Sequence, residues 1–134
     1  VTEIVFQGAE HQRRFLAAVR HLGKVDEGNK IAPEYGAALF VLTAHLDTWN
    51  AVQNYVGPDG ILFRKMLRNL DWSGGYRVLL KWAANLFNEQ AAHIDPVQLM
   101  RLDAWNFEIA LSALRIRREG LCIGTATRAQ RCED

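Results

Sequence analysis

Asp71-Trp-Ser-Gly-Gly-Tyr-Arg-Val-Leu-Leu-Lys-Trp-Ala-Ala-Asn-Leu-Phe-Asn88 reads as a capped helix. Ser73, with Asp71 as competitor, can accept from amides that the first helical turn leaves without partners. At about 100° per residue, Arg77, Lys81, Asn85 and Asn88 fall within an arc of about 80°. Tyr76, Val78, Leu79, Leu80, Trp82, Ala83, Ala84, Leu86 and Phe87 fill the rest of the circle. A helix with so narrow a polar strip is contacted on most sides, so this segment is expected at the centre of the fold. Gly74 and Gly75 are weak helix formers, and close approach of another backbone accounts for them.

A second buried helix is expected over 33–46, opened by Pro33 at its first position. Leu39, Phe40, Val41 and Leu42 cover most of its circumference, and Gly36, Ala37, Ala38 and Ala44 allow tight packing. Upstream, residues 9–22 form an amphipathic helix with Phe15, Val19 and Leu22 on one side and Gly23 as its stop. Glu10 and Arg14 have the spacing of an i,i+4 pair on its wet side. Short helices are expected over 47–56 and 60–70, divided by Gly57-Pro-Asp-Gly60. A turn over 96–100 and a long helix over 103–118 complete the set, with Trp105 and Leu114 on the apolar side of the long helix and Glu108, Ser112 and Arg115 on its wet side.

The expected fold is therefore all-α. It is a compact orthogonal bundle of five to six helices around two central hydrophobic ones, with Phe40, Leu42, Leu79, Trp82, Leu86, Leu111 and Leu114 buried. Residues 1–8 read as an extended N-terminal arm, 9–120 as a single helical domain, and 121–134 as a partly flexible C-terminal tail.

At 134 residues the chain has one domain's length. Its 16 basic and 15 acidic residues leave a formal charge of +1. That gives no global pull toward nucleic acid or an anionic membrane. No run of apolar residues is long enough to span a bilayer. Val1 to Gly8 lacks the basic start and apolar core of a secretory signal, and the cytoplasm is the expected compartment. Cys122 and Cys132 match no metal spacing. Two reduced thiols is the preferred reading of them, with a disulfide closing the 120s loop as the alternative.

Little in the chain points to chemistry. His11, His21, His45 and His93 form no ligand pair at helical spacing, and His11 and His21 are expected on a wet face. No catalytic, cofactor or metal residues are assigned. An enzyme site near Cys122, where arginines could lower the thiol pKa, is the remote alternative. Arg115, Arg117 and Arg118, with Arg77 and Lys81, are candidate nucleic-acid contacts if they converge in space. The leading expectation is a small non-enzymatic interaction or accessory module docking to another protein or to itself, as a homodimer for example. Its candidate interface residues are Trp49, Trp72 and Tyr55, because aromatics in exposed junctions anchor interfaces.

The combination of Glu10-His-Gln-Arg-Arg-Phe15, Ala37-Ala-Leu-Phe-Val-Leu42, Ser73-Gly-Gly-Tyr-Arg-Val-Leu-Leu-Lys81, Ala84-Asn-Leu-Phe-Asn88 and Leu111-Ser-Ala-Leu-Arg-Ile-Arg-Arg118 resembles a group of small helical bacterial and phage-associated proteins. The resemblance spans about residues 6–120. It implies a helical fold and a bacterial or phage source. It brings no activity and no site residue with it.

Overall fold

The computed structural model describes residues 4–71, 74–88, 93–124 and 128–132. Among them, helices α1 (Ala9–His21), α2 (Pro33–Leu42), α3 (Leu46–Val52), α4 (Phe63–Asn69), α5 (Gly74–Asn88), α6 (Pro96–Met100) and α7 (Ala104–Glu119) make up most of the chain. Short strands lie between and after them: β1 (Lys30–Ile31), β2 (Val56–Gly57), β3 (Gly60–Ile61), β4 (Leu121–Ile123) and β5 (Ala129–Gln130). The fold is thus helix-dominated but not all-α, because β1, β4 and β5 join into a three-stranded antiparallel sheet. That sheet corrects the all-helical expectation. Its strands have two or three residues each, too short to show the period-two alternation by which a strand is recognised.

The centre is α2, where every residue from Tyr35 to Leu42 is buried. Unlike α5, it has no polar strip, so it must be surrounded. At its N-terminal end Tyr35 packs edge-on against Phe87, and Glu34 lies 3.7 Å from Arg117. Just beyond its C-terminal end, His45 meets Tyr76 and Asn106. Helices α5 and α7 therefore run side by side, both antiparallel to α2. Trp82 ties them together by donating its indole N–H to the Ala110 carbonyl at 2.9 Å. Gly36 permits the closest approach. A Cβ there would stand 3.2 Å from Ile116 Cγ2 and 3.3 Å from Ile31 Cγ2.

Helix α5 flanks this centre rather than forming it. Leu79, Leu80, Ala83, Ala84 and Leu86 are buried, while Tyr76 and Arg77 are exposed. Phe40 and Leu42 are buried as expected, and Leu111 and Trp82 are half-buried. Two expected core positions on α7 are not in the core, since Trp105 and Leu114 are exposed. The apolar residues of α7 are split between a buried set and the exposed Trp105 and Leu114. Gly74 takes φ 54°, a left-handed conformation that suits glycine at the start of α5. Gly75 admits side chains, not backbone. A Cβ there would meet Leu102 Cδ2 at 3.3 Å and Asn106 Nδ2 at 3.5 Å.

Among the described residues after α7, β4 and β5 belong to the sheet. Ile31 pairs with Leu121, and Cys122 with Gln130. The register carries Cys132 back to Cys122, with which it forms a disulfide. The reduced-thiol reading is corrected by this pairing, which depends on strands the sequence did not reveal. Closing a loop with a sequence separation of 10 restricts the unfolded chain. The bond is expected to contribute about 3 kcal/mol. Urea unfolding of the oxidised protein against a Cys122→Ser, Cys132→Ser variant measures this, and equal midpoints would refute it.

Candidate functional site

Three places could act on something outside the chain. The first lies where α2 ends and α5 and α7 begin. Helix α7 opens with Asp103 as its N-cap, whose Oδ1 accepts from the Asn106 amide at 2.8 Å. The same carboxylate accepts from Asn106 Nδ2 at 3.3 Å. That contact turns Asn106 Oδ1 outward, 2.9 Å from His45 Nε2. Since an amide oxygen only accepts, His45 donates from Nε2 in this contact. No partner meets Nδ1 among the described residues. The Tyr76 ring packs edge-on against this imidazole at 5.1 Å between centroids.

Exposed apolar residues adjoin this polar chain in sequence: Leu46, next to His45, is 54% exposed and Trp105, next to Asn106, is 62% exposed. Tyr76 is exposed as well. An oriented imidazole is a component of acid–base chemistry, but no free thiol accompanies it among the described residues. No three His, Cys, Asp or Glu side chains gather as a metal site among them either.

The second place is a cleft of about 300 Å³ between α1 and the segment after it in space. Its lining includes His21, Leu22, Trp49, Asn54, Val56 and Pro58. Trp49, one of the expected interface residues, is half-buried in its wall. Tyr55 is half-buried against the core, and its carbonyl accepts from the Leu62 amide. Trp72, the third expected interface residue, lies outside the described residues.

The third place is the arginine cluster. Arg117 is turned inward, with Nε donating to the Leu86 carbonyl at 2.7 Å, which caps the end of α5. Arg115 pairs with Glu119 at 3.1 Å, and Arg131 approaches the same carboxylate. Arg77 and Arg118 are exposed and Lys81 is half-buried, with no ion pair to any of the three among the described residues. Arg77 stands nine residues before the Leu86 level that Arg117 occupies, about 14 Å of helix rise. Cys122 is tied in the disulfide, and no described cysteine is free. It offers no thiolate, which corrects the idea of a nucleophile there.

Sequence reading missed the His45–Asn106 contact and the exposure of Trp105. The first pairs residues 61 positions apart and has no local signal. The second had one: Trp105 shares a helical stripe with Glu108, Ser112 and Arg115, all taken as wet. No family model, no curated protein and no solved structure matches this chain. No described helix is long and apolar enough to cross a membrane.

Proposed function

We propose that this domain is a non-catalytic docking module whose contact face is the apolar corner around Trp105, and that a second copy of the chain is the first partner to test. The observation that carries the reading is Trp105, a large aromatic left 62% exposed at the first turn of a helix whose start is locked by Asp103 and Asn106. Single exposed apolar residues are ordinary on protein surfaces. Trp105 and Leu46 beside Asn106 and His45, with exposed Tyr76 against the His45 ring, fit the anchors of an interface better than a random scatter does. Two-fold homodimers are the commonest soluble assemblies. Trp49 then lines a separate cleft, Tyr55 packs against the core, and Arg115 and Arg117 are engaged within the chain.

Kinship with helical bacterial and phage-associated proteins, and a place in the cytoplasm, belong to the same proposal. The cytoplasm imposes a condition, because its thiol pools reduce disulfides. Thiol labelling of Cys122 and Cys132 in freshly lysed cells tests that placement.

Sedimentation velocity over a range of micromolar concentrations tests the docking face. The wild type should show a monomer–dimer equilibrium. Trp105→Ala should weaken it by at least about 30-fold, as expected for an interface hot spot, with the helical circular dichroism unchanged. A Trp49→Ala variant should dimerise like the wild type. A wild type that stays monomeric refutes self-docking, and an equally tight Trp105→Ala dimer refutes this face.

A further inference from the structure

Residues 4–7 lie against α1, α2 and α7. The Val5 amide donates to Ser112 Oγ on α7 at 3.0 Å. The Gln7 side chain reaches the Trp105 carbonyl at 3.4 Å. Between them Phe6 enters the core edge-on, 5.5 Å from the Phe15 ring on α1 and 5.0 Å from Phe40 on α2. Behind Phe6 sits His11, whose ring centroid is 4.9 Å from that of Phe6 and 4.6 Å from that of Phe40.

His11 is 1% exposed and both its nitrogens are engaged. Nε2 lies 2.8 Å from the Phe40 carbonyl, and Nδ1 lies 2.9 Å from the Gln7 amide nitrogen. A carbonyl only accepts and an amide only donates, so both partners require one state of the ring: neutral, with its proton on Nε2. A second proton has no place except Nδ1. There it would point at the Gln7 N–H, donor against donor, while the contact to Phe40 would survive.

We propose that residues 4–7 form an acid-released strap, held shut by neutral His11 and let go when Nδ1 is protonated. Release opens the slot that Phe6 fills, so that Phe15, Phe40 and Ser112 become reachable from solvent without the helices coming apart. The surroundings work in the same direction. Burial is the main cause that lowers the His11 pKa from 6.5 to about 4, against the raising effect of the Phe40 carbonyl. Arg14 on α1 and His45 beyond α2 add smaller repulsions. Residues 4–7 and Ser112 bring no charge to the site.

The direction of the pH effect follows. The docked strap depresses the pKa, so docking is fully favoured above pH 6.5 and is lost as pH falls through about 4. Over that window the ratio of released to docked strap can rise by at most about 300-fold, the limit set by the full shift.

Amide exchange followed by NMR decides the matter, because the Val5 and Gln7 amides are themselves the strap's bonds. After correction for intrinsic chemistry, both should lose protection between pH 7 and pH 4 while Leu39 and Val41 in α2 keep theirs. His11→Gln, which cannot titrate, should flatten that profile. Phe6→Ala loosens the strap from its other side and should raise the His11 pKa by at least about one unit toward its free value. Three results would overturn the proposal: Val5 and Gln7 exchanging in step with α2 at every pH, a His11→Gln profile identical to wild type, or a wild-type His11 titrating near 6.5.

Discussion

Replacing Phe40 with alanine is expected to lower the free energy of unfolding by about 3–5 kcal/mol. The ring is fully buried in the last turn of the most buried helix. It packs against Phe6, His11 and Phe15, which come from the arm and from α1. Truncation at such a junction leaves a cavity that rigid helices cannot close. A domain of this size has only about 5–15 kcal/mol in total, so the variant should sit near its unfolding limit at room temperature. Leu114→Ala is the contrast. From the sequence both positions belong to the core, but Leu114 is exposed, and its loss should stay within about 0.5 kcal/mol. Chemical denaturation of the two variants beside wild type measures the difference. Equal losses would mean that α7 is turned differently against α2.

The same pair of residues shows how far the sequence could be read. Helix positions came through well because their signals are local. Pro33 at a helix start, Asp95 capping Pro96–Met100 and Gly120 after α7 each act within a turn. The buried run Leu39–Leu42 needed no partner to be recognised, since no face of it is polar. Which helix lies at the centre was less legible. The polar strip of α5 is real, with Arg77 exposed on it and Tyr76 exposed beside it, but only the wholly apolar α2 is enclosed. Trp105 and Leu114 were misplaced for a related reason. An apolar stripe records that something covers it or could cover it, and does not say whether the cover belongs to the same chain.

What stayed hidden depends on long-range pairing. Ser112 is polar and was placed on the wet side, and it is buried because Val5 bonds to it across 107 positions. Strands as short as Leu121–Ile123 acquire their identity only from the partner strand. The disulfide follows from that sheet, and without the sheet it stands only as the alternative to two reduced thiols. His11 was read as wet because its neighbours Glu10 and Arg13 are, whereas the arm folds over it.

Arg14 is the clearest case of a charge read for the wrong partner. Spacing pairs it with Glu10, yet Glu10 is held by Arg13, one residue nearer, on the exposed surface. Arg14 instead reaches the end of α2. Its Nε donates to the Thr43 carbonyl at 2.9 Å and its Nη2 to the Ala44 carbonyl at 3.2 Å. Those are acceptors that a helix end leaves without intrahelical donors. Both residues are buried, so water does not readily replace the guanidinium. A positive charge at a helix C-terminus also opposes the negative end of the helix dipole. Arg14→Met keeps the aliphatic stem and removes both bonds. It is expected to cost about 2–3 kcal/mol. Arg13→Met removes only an exposed ion pair and should change stability by less than about 1 kcal/mol. Added salt separates the two further, because screening weakens the surface pair and largely spares the buried one. Urea midpoints of both variants at low and high salt provide the measurement. If Arg14→Met proves as mild as Arg13→Met, the end of α2 is satisfied by water, and the docking of α1 onto α2 rests on Phe15, His11 and Phe40 alone.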